Sequence, residues 1–256
     1  MSELLRERQG HVEILTINRP EARNAINGAV SRGFVAAFDE LEADDDCWVV
    51  IVTGAGDKAF SAGMDLKAFA AGEVGDIMGA KGGFAGITQR DFPKPIIAAV
   101  NGSALAGGCE IMLACDLVVA VEEAKFGIPE VKRGLIAGGG GLIRLPKRLP
   151  AAIALELALT GDSIDADRAL ALGLINRVVP ADQLMAASMA LAETIADNAP
   201  LAVRASKRVM KQAAEVPEAE GWVLNSAAVP EVFGSADAME GPIAFAEKRK
   251  PNWSGK

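Results

Sequence analysis

Three short apolar runs constrain the fold of this chain more than any other sequence feature: Trp48–Val52, Ile96–Val100 and Leu117–Val121. Each run is continuous rather than alternating, which is typical of strands that are buried on both faces of a sheet. The first two end at glycine-containing turns, and the residues from about Gly108 to Cys115 form an apolar segment with the length of a short helix. The alternation of strands and helices predicts a layered α/β fold.

A further strand and helix are predicted ahead of these runs. Apolar residues dominate residues 12–17, and the predicted strand stops at Asn18–Pro20, because proline removes a backbone donor and favours extended geometry before it. From about Asn27, apolar residues recur at helical spacing, at Val30, Phe34, Phe38 and Leu41. This pattern predicts a helix that covers the first strand.

The second half of the chain is predicted to be mainly helical. Apolar residues recur at helical spacing in four segments: Ala151–Leu159, Asp165–Leu172, Ala181–Ala199 and Pro200–Ala214. No strand is predicted beyond about Asp197. We therefore expect an α/β core over residues 1–196 and a C-terminal helical region over residues 197–256.

The segment between Ala70 and Arg90 is rich in glycine, with six glycines at positions 72 to 86. Glycine tolerates many backbone conformations, so little regular packing is expected there. We predict a mobile loop with at most a short helix. Loops of this length are often functional.

Charge and cysteine content exclude several function classes. The 34 acidic and 26 basic residues give a formal net charge of −8, so the surface lacks the basic character that nucleic-acid binding requires. The three cysteines, Cys47, Cys109 and Cys115, show no C-x-x-C spacing, which indicates neither a disulfide framework nor a zinc site. The first ten residues resemble no secretory signal, and no apolar run reaches membrane-spanning length. A cytoplasmic protein without nucleic-acid or membrane partners is expected.

Two common motifs are weak in this sequence. Gly54–Ala59 matches the G-x-G-x-x-A form of a dinucleotide fingerprint, but Gly63 follows soon after and disfavours the helix that the motif must open. A catalytic serine needs a histidine base, and the only histidine is His11, at the head of the first predicted strand. Neither nucleotide binding nor a Ser-His-Asp triad is expected.

Glu110 is a conspicuous carboxylate because it lies in an apolar helix that follows a glycine-paired turn. Burial of an ionised glutamate is unfavourable unless the group is paired or its pKa rises, and a raised pKa also suits proton transfer. A buried ion pair with an arginine is the structural alternative. Gly107 and Gly108 lack side chains, so backbone N–H groups there can approach a ligand, although close helix–strand packing would also explain them.

Glu130 is the second candidate carboxylate. It lies twenty positions after Glu110, across the predicted strand Leu117–Val121. One strand and two turns are enough to bring both glutamates to the same cleft. Two carboxyl groups in one cleft suit proton-transfer chemistry, because one holds a proton while the other accepts one.

Three ordered segments, Phe60–Lys67, Asn101–Glu110 and Phe126–Gly141, resemble motifs of the crotonase, or enoyl-CoA hydratase, superfamily. The resemblance runs from Asn18 to Arg249, which is nearly the whole chain. It implies an α/β fold built as a crotonase-like spiral of repeated ββα units, followed by a C-terminal helical trimerisation region.

The resemblance also implies a reaction. In that superfamily, backbone N–H groups at the positions matching Met64 and Gly107 form an oxyanion hole for a thioester carbonyl, and hydratases carry glutamates at the positions matching Glu110 and Glu130. The expected enzyme is an enoyl-CoA hydratase, a lyase that catalyses reversible syn hydration of a trans-2-enoyl-CoA to a 3-hydroxyacyl-CoA. Glu110 is expected to activate water for attack at Cβ, and Glu130 to exchange the Cα proton.

The acyl group is left open by the sequence. Gly140–Pro146 departs from the run common in fatty-acid hydratases, and Glu240–Arg249 is similar to the carnitinyl-CoA dehydratase branch. Crotonobetainyl-CoA or a sterol-side-chain enoyl-CoA, Δ3,Δ2-enoyl-CoA isomerisation and non-catalytic acyl-CoA binding are therefore the alternatives. The glycine-rich segment from Ala70 to Arg90 is the expected specificity element.

The resemblance places the coenzyme A part of the substrate against five positions: Ala62, Met64, Asp65, Leu66 and Gly107. Arg23 and Lys248 are candidate cations for its phosphates, because local charge rather than net charge sets a binding site. No metal and no resident cofactor is expected, since backbone dipoles stabilise the enolate. The expected assembly is a homotrimer or a dimer of trimers.

Overall fold

Two β-sheets organise the structure, a computed structural model that describes residues 2–256. The strands are β1 (Leu4–Gln9), β2 (Val12–Ile17), β3 (Val49–Gly54), β4 (Ala59–Ser61), β5 (Ile96–Val100), β6 (Ser103–Leu105), β7 (Leu117–Val121), β8 (Lys125–Gly127), β9 (Ser163–Asp165) and β10 (Arg177–Val179). The helices are α1 (Gly28–Ala43), α2 (Leu66–Ala70), α3 (Val74–Met78), α4 (Gly107–Ala114), α5 (Gly141–Arg148), α6 (Ala151–Thr160), α7 (Ala166–Ala171), α8 (Leu184–Ala196), α9 (Pro200–Ala213), α10 (Glu218–Phe233) and α11 (Ala236–Glu247).

The larger sheet has the strand order β1-β2-β3-β5-β7-β10, and the smaller has the order β4-β6-β8-β9. Every neighbouring pair is parallel except β1 with β2 and β8 with β9. Successive strands alternate between the sheets, since β3, β5 and β7 lie in the larger one and β4, β6 and β8 in the smaller. The chain thus winds as a spiral of ββα units, as expected for the predicted fold class.

The core forms where the sequence patterns place it. The strands β3, β5 and β7 occupy the centre of the larger sheet, and nearly all of their residues are buried. The helix α1 begins where the Asn27 side chain accepts the Val30 N–H at 3.0 Å, and it buries Phe34 and Phe38. This cap satisfies one of the N–H groups that a helix start leaves without a partner.

Several strands were not predicted from the sequence, among them β1, β10 and the four strands of the smaller sheet. The strand β1 was not predicted, because its charged residues are exposed and only pairing with β2 holds it in place. The segment 70–90, predicted to be a mobile loop with at most a short helix, contains the short helix α3 and a 3₁₀ turn at Phe84–Gly86. Buried Ile77 and Phe84 anchor this segment, so tertiary packing overrides its glycine content.

The C-terminal helices follow the core directly. The helix α8 ends at Ala196 and α9 begins at Pro200; α9 packs against α10. The structure describes no strand after residue 197 within its range of residues 2–256. Across that same range, no helix combines the length and apolar character needed to cross a membrane.

Candidate active site

A cleft of about 500 Å³ lies at the carboxyl ends of the smaller sheet. Its lining includes Arg23, Ala62, Met64, Leu66, Phe69, Val74, Met78, Phe84, Leu105, Ala106, Gly107, Glu110, Pro129, Glu130, Arg133, Leu135, Ile136 and Gly138. Both predicted catalytic glutamates and both predicted oxyanion-hole positions are therefore brought together.

The strand order explains this convergence. The strands β4, β6 and β8 are neighbours and run parallel, so their carboxyl ends meet at one edge of the sheet. Met64 follows β4, Gly107 follows β6 and Glu130 follows β8, each within three residues of the strand end. Parallel sheets commonly bind ligands at this edge.

Glycine is required where β4 meets the start of α4. A Cβ at Gly108 would clash with the backbone of Ser61, and a Cβ at Gly63 would lie 2.6 Å from the Gly107 nitrogen. Gly63 has a φ of +89°. Ala106 has φ 53° and ψ −130°, a backbone conformation that residues other than glycine rarely adopt. The two segments that carry Met64 and Gly107 are thus pressed together.

This packing leaves two backbone donors at the cleft. Ile26 and Met64 form an isolated parallel β-bridge. The Ile26 N–H donates to the Gly63 carbonyl, and the Ile26 carbonyl accepts the Asp65 N–H. In a parallel bridge of this kind the N–H of the middle residue, Met64, points away from Ile26. Gly107 is the first residue of α4, so its N–H has no acceptor within that helix. The helix dipole adds positive potential at the same point.

Glu110 is buried and held by the backbone of a glycine loop. Its Oε1 accepts the Gly141 N–H at 2.9 Å, and a Cβ at Gly139 would lie 2.6 Å from Oε2. Burial raises the pKa of Glu110, although the loop N–H groups and the positive charge of Arg144 act in the opposite direction. The structure therefore gives Glu110 a backbone partner instead of the direct arginine pair considered as an alternative.

Glu130 is less constrained. Burial raises its pKa to about 7, with the nearby Glu110 charge adding to the shift and Arg133 opposing it. Its Oε2 is buried and has no hydrogen-bond partner among residues 2–256. A carboxyl group with a pKa near neutrality is suited to give and take a proton.

Arg144 links the parts of this site and was not predicted. Its guanidinium donates to the Gly139 carbonyl at 3.4 Å and also to the Thr88 carbonyl. It thereby ties the glycine loop that holds Glu110 to the segment that follows Phe84. The sequence showed Arg144 only as part of the Gly140–Pro146 run, without indicating these contacts.

Phe84 and Met78 are further cleft residues that sequence reasoning did not single out. A Cβ at Gly107 would clash with the Phe84 ring, and one at Gly139 would lie 3.2 Å from the Phe84 Cβ. The Met78 Cε lies 3.6 Å from the position of a Cβ at Gly138. The glycine-rich segment thus supplies one wall of the cleft. A segment that determines acyl specificity, as predicted for this one, must line the cleft in this way.

The remaining predicted coenzyme A positions separate into two groups. Arg23, Ala62 and Leu66 line the cleft. Asp65 is outside the lining; its carboxylate caps α2 by accepting the Lys67 N–H at 2.9 Å and pairs with Arg19 at 2.9 Å. Lys248 is exposed at the end of α11, also outside the lining, so its contact with coenzyme A stays a prediction. Arg133 is a lining cation that the sequence analysis missed.

The motifs judged weak have other structural roles. Gly54–Ala59 leads into β4 rather than into a helix. His11 is exposed and stacks on Trp48 with ring centroids 3.7 Å apart.

All three cysteines are buried, and burial raises the pKa of the Cys109 and Cys115 thiols to about 12. Within residues 2–256, no group of three or more His, Cys, Asp or Glu side chains is placed to hold a metal ion.

Comparison with known proteins identifies the family of the chain. Residues 7–256 match the family described as enoyl-CoA hydratase/isomerase. The chain is 45% identical to a carnitinyl-CoA dehydratase from Salmonella typhi over the whole of both chains. The crystal structure of an enoyl-CoA hydratase from Mycobacterium tuberculosis H37Rv superimposes with a TM-score of 0.96 at 51% identity, again covering both chains completely.

A carnitinyl-CoA hydratase from Mycobacterium avium is also similar, with a TM-score of 0.79 and 48% identity over both complete chains. The expected α/β crotonase-type fold and the sequence resemblance are therefore confirmed. Family members act on coenzyme A thioesters, and hydratases and dehydratases among them are lyases. The chain belongs to the enoyl-CoA hydratase/isomerase family.

Proposed function

We propose that the protein catalyses reversible syn addition of water to a trans-2-enoyl-CoA, giving a 3-hydroxyacyl-CoA. The observation that carries this proposal is the meeting of Glu110 and Glu130 in one cleft beside the backbone of Met64 and Gly107. A hydration needs a base for water, a proton for Cα and a stabiliser for enolate charge.

The roles follow from the surroundings of each group. The Met64 and Gly107 N–H groups hold the thioester oxygen as it gains negative charge; loss of one such donor typically lowers the rate by about 10²- to 10³-fold. Glu110, fixed by the Gly141 N–H, activates water for attack at Cβ. Glu130, with a free carboxyl oxygen, delivers the proton to Cα and removes it in the reverse direction. The proposal assigns no metal and no resident cofactor, because these groups supply all the chemistry it needs.

The test follows the loss of conjugated enoyl-thioester absorbance with a short and a long 2-enoyl-CoA. We expect Glu110→Gln and Glu130→Gln each to lower kcat by about 10²- to 10⁴-fold, because proton transfer is lost while the shape is kept. Glu123→Gln, at an exposed position outside the cleft, is the matched control and should retain wild-type turnover. Wild-type turnover by Glu130→Gln would show that the assigned roles are wrong.

Two other outcomes would point to different members of the family. Conversion of a 3-enoyl-CoA that depends on one glutamate alone would favour an isomerase. Tight binding without turnover on every thioester would favour a non-catalytic acyl-CoA-binding protein.

A second candidate is the same chemistry on carnitinyl-CoA, run as a dehydration. It is favoured by the 45% identity to the Salmonella typhi carnitinyl-CoA dehydratase and by the similar Mycobacterium avium structure. The two candidates share their catalytic groups and differ in the acyl group that the cleft must accept.

A further inference from the structure

We propose that the cleft accepts an acyl group that is uncharged and apolar beyond Cβ, and that it discriminates against an acyl group bearing a quaternary ammonium. This inference rests on the proposed function, because that function sets the orientation of the thioester. It separates the two acyl classes named under the proposed function.

The catalytic groups indicate where the acyl group continues. The Gly107 N–H fixes the carbonyl and Glu110 fixes Cβ, so the atoms beyond Cβ face the wall next to these two residues. That wall begins with Phe84, which packs between Gly107 and Gly139. It continues through Met78, which reaches across to Gly138.

The wall is apolar along its length. Val74 and Met78 from α3 and Leu66 and Phe69 from α2 all line the cleft, and each is more than a third exposed. An apolar acyl group would cover this surface and remove it from water, which is favourable. The wall contributes no charged side chain to the lining.

The acidic residues of α3 and its start are turned away from the cleft. Glu73 accepts the Gly28 N–H at 2.9 Å, and Asp76 pairs with Arg32 on α1. Neither carboxylate is among the lining residues. A cation on the acyl group therefore finds no free carboxylate at the wall.

The other charges of the cleft also disfavour a cationic acyl group. Its described acidic lining residues are Glu110 and Glu130, both assigned to proton transfer, and the lining also includes two cations, Arg23 and Arg133. A positive charge beside Glu130 would lower the pKa that burial raises, which opposes the delivery of a proton to Cα assigned to that group.

Aromatic residues cannot replace the missing carboxylate. Quaternary ammonium groups are bound by cages of several aromatic faces, with tryptophan and tyrosine as the strongest. The chain has no tyrosine, and none of its three tryptophans lines the cleft. Phe69 and Phe84 are the aromatic residues in the lining. The ammonium would lose its water without gaining a matching partner.

The test compares two thioesters that differ in one atom. The first is the 4-trimethylammonio-but-2-enoyl thioester of CoA; the second is its uncharged carbon isostere, 5,5-dimethylhex-2-enoyl-CoA. We expect kcat/KM of the wild-type protein to be about 100-fold higher for the carbon isostere, since shape is constant and only the charge differs. A preference below about 10-fold, or for the ammonium compound, would overturn the inference.

Binding of the saturated analogues separates this inference from the proposed reaction. The 4-trimethylammonio-butanoyl and 5,5-dimethylhexanoyl thioesters of CoA undergo no hydration, so calorimetry reports their affinity alone. If no enoyl-CoA is hydrated but the carbon compound binds at least about 10-fold more tightly, the proposed function fails and the inference holds. If hydration occurs and the two analogues bind equally, the reverse is true.

A substitution in the wall supplies the matched control. Met78→Glu places a carboxylate where the acyl end is expected, and Met78→Gln has nearly the same shape without the charge. We expect the preference for the carbon isostere to be about 10-fold smaller in Met78→Glu than in Met78→Gln. Equal preferences in both variants would show that the acyl end does not lie against Met78 and would overturn the inference.

Discussion

Among single residues, Glu130 combines a buried oxygen that lacks a hydrogen-bond partner within residues 2–256 with a pKa raised to about 7. Such a group disfavours the folded state when it is ionised, because its charge is better solvated in the unfolded chain. The property that suits Glu130 to proton transfer therefore lowers the stability of the protein at neutral pH.

Because ionised Glu130 lowers the stability of the folded protein, replacing it by glutamine should raise the stability at neutral and higher pH. Between about pH 4.5 and 7 the folded protein keeps a proton that the unfolded chain releases, so Glu130 lowers stability progressively as the pH rises. At pH 8 the unfolding free energy of the variant should exceed that of wild type by about 1–2 kcal/mol, so the variant should unfold at a higher urea concentration. This gain is less than the whole pKa shift of Glu130 implies, because its carboxyl is only half-buried.

Near pH 4 the two proteins should have nearly equal unfolding free energies, since the carboxyl is then protonated in both states. Glu123→Gln, which removes an exposed carboxylate, should show no such pH-dependent gain. A constant difference between wild type and Glu130→Gln at both pH values would exclude a charge effect.

The sequence identified single residues best where their chemistry conflicts with their neighbours. Glu110 was found because a carboxylate in an apolar helix needs an explanation, and Glu130 because of its place after the next strand. Phe84 and Met78 show only apolar character in the sequence, and Arg144 appeared only as part of the Gly140–Pro146 run. Their roles depend on contacts with Gly107, Gly138 and Gly139 that no local pattern encodes.

Among the elements, the turn at residues 82–86 carries the most unusual backbone. Gly82, Gly83, Ala85 and Gly86 all have φ between 54° and 90°, in the left-handed region. Between them Phe84 is only 2% exposed and packs against Gly107. The left-handed residues bend the chain sharply enough to direct one ring into the site.

Two glycine-to-alanine substitutions, one in this turn and one in the neighbouring α3, should change the unfolding free energy in opposite directions. In Gly86→Ala the new Cβ would lie 2.7 Å from Val35 Cγ2 at a φ of +70°, so we expect a loss of about 2–4 kcal/mol in unfolding free energy. Gly75 lies in α3 with open space around it and ordinary φ, so Gly75→Ala should gain about 0.5–1 kcal/mol.

Urea unfolding measures both differences, and turnover adds a second readout. Gly86→Ala should also lower kcat, because Phe84 moves away from Gly107, whereas Gly75→Ala should leave the unfolding transition cooperative and the rate nearly unchanged. Equal stability of Gly86→Ala and wild type would contradict the structural role given to the turn.

The elements that the sequence predicted well are those with a long apolar pattern. The strands β5 and β7 occupy the predicted bounds, and α1 begins one residue after its predicted start. The strands of the smaller sheet were not predicted, since three residues are too few to show a period. Those short strands position the site, so the fold class was predictable from local patterns but the site architecture was not.

At the scale of the whole molecule, the C-terminal helices expose large apolar side chains. Phe233 is 76% exposed and Phe245 is 87% exposed, and Trp222 and Met239 are also exposed. Soluble monomers rarely present so many large apolar residues on one region, which is more typical of an interface. This surface supports the assembly expected from the family resemblance.

We predict that the protein is a trimer or a dimer of trimers. Light scattering coupled to gel filtration should give three or six times the 26.5 kDa chain mass. Phe245→Glu should weaken assembly by placing a charge in the interface, whereas Phe245→Leu should retain it. A monomeric wild-type protein would refute the prediction, and with it the packing role proposed for residues 197–256.

The two N–H groups proposed to hold the thioester oxygen belong to the main chain, which has a consequence for how this protein tolerates change. A substitution at Met64 keeps the donor unless it installs proline, which has no backbone N–H. A substitution at Gly63, Gly107 or Gly108 displaces it, since each of these glycines touches backbone or a packed ring. In a complete mutational scan, the two backbone donors would therefore be detected only as glycine positions that tolerate no substitution. Met64, which carries one of the donors, would tolerate most substitutions.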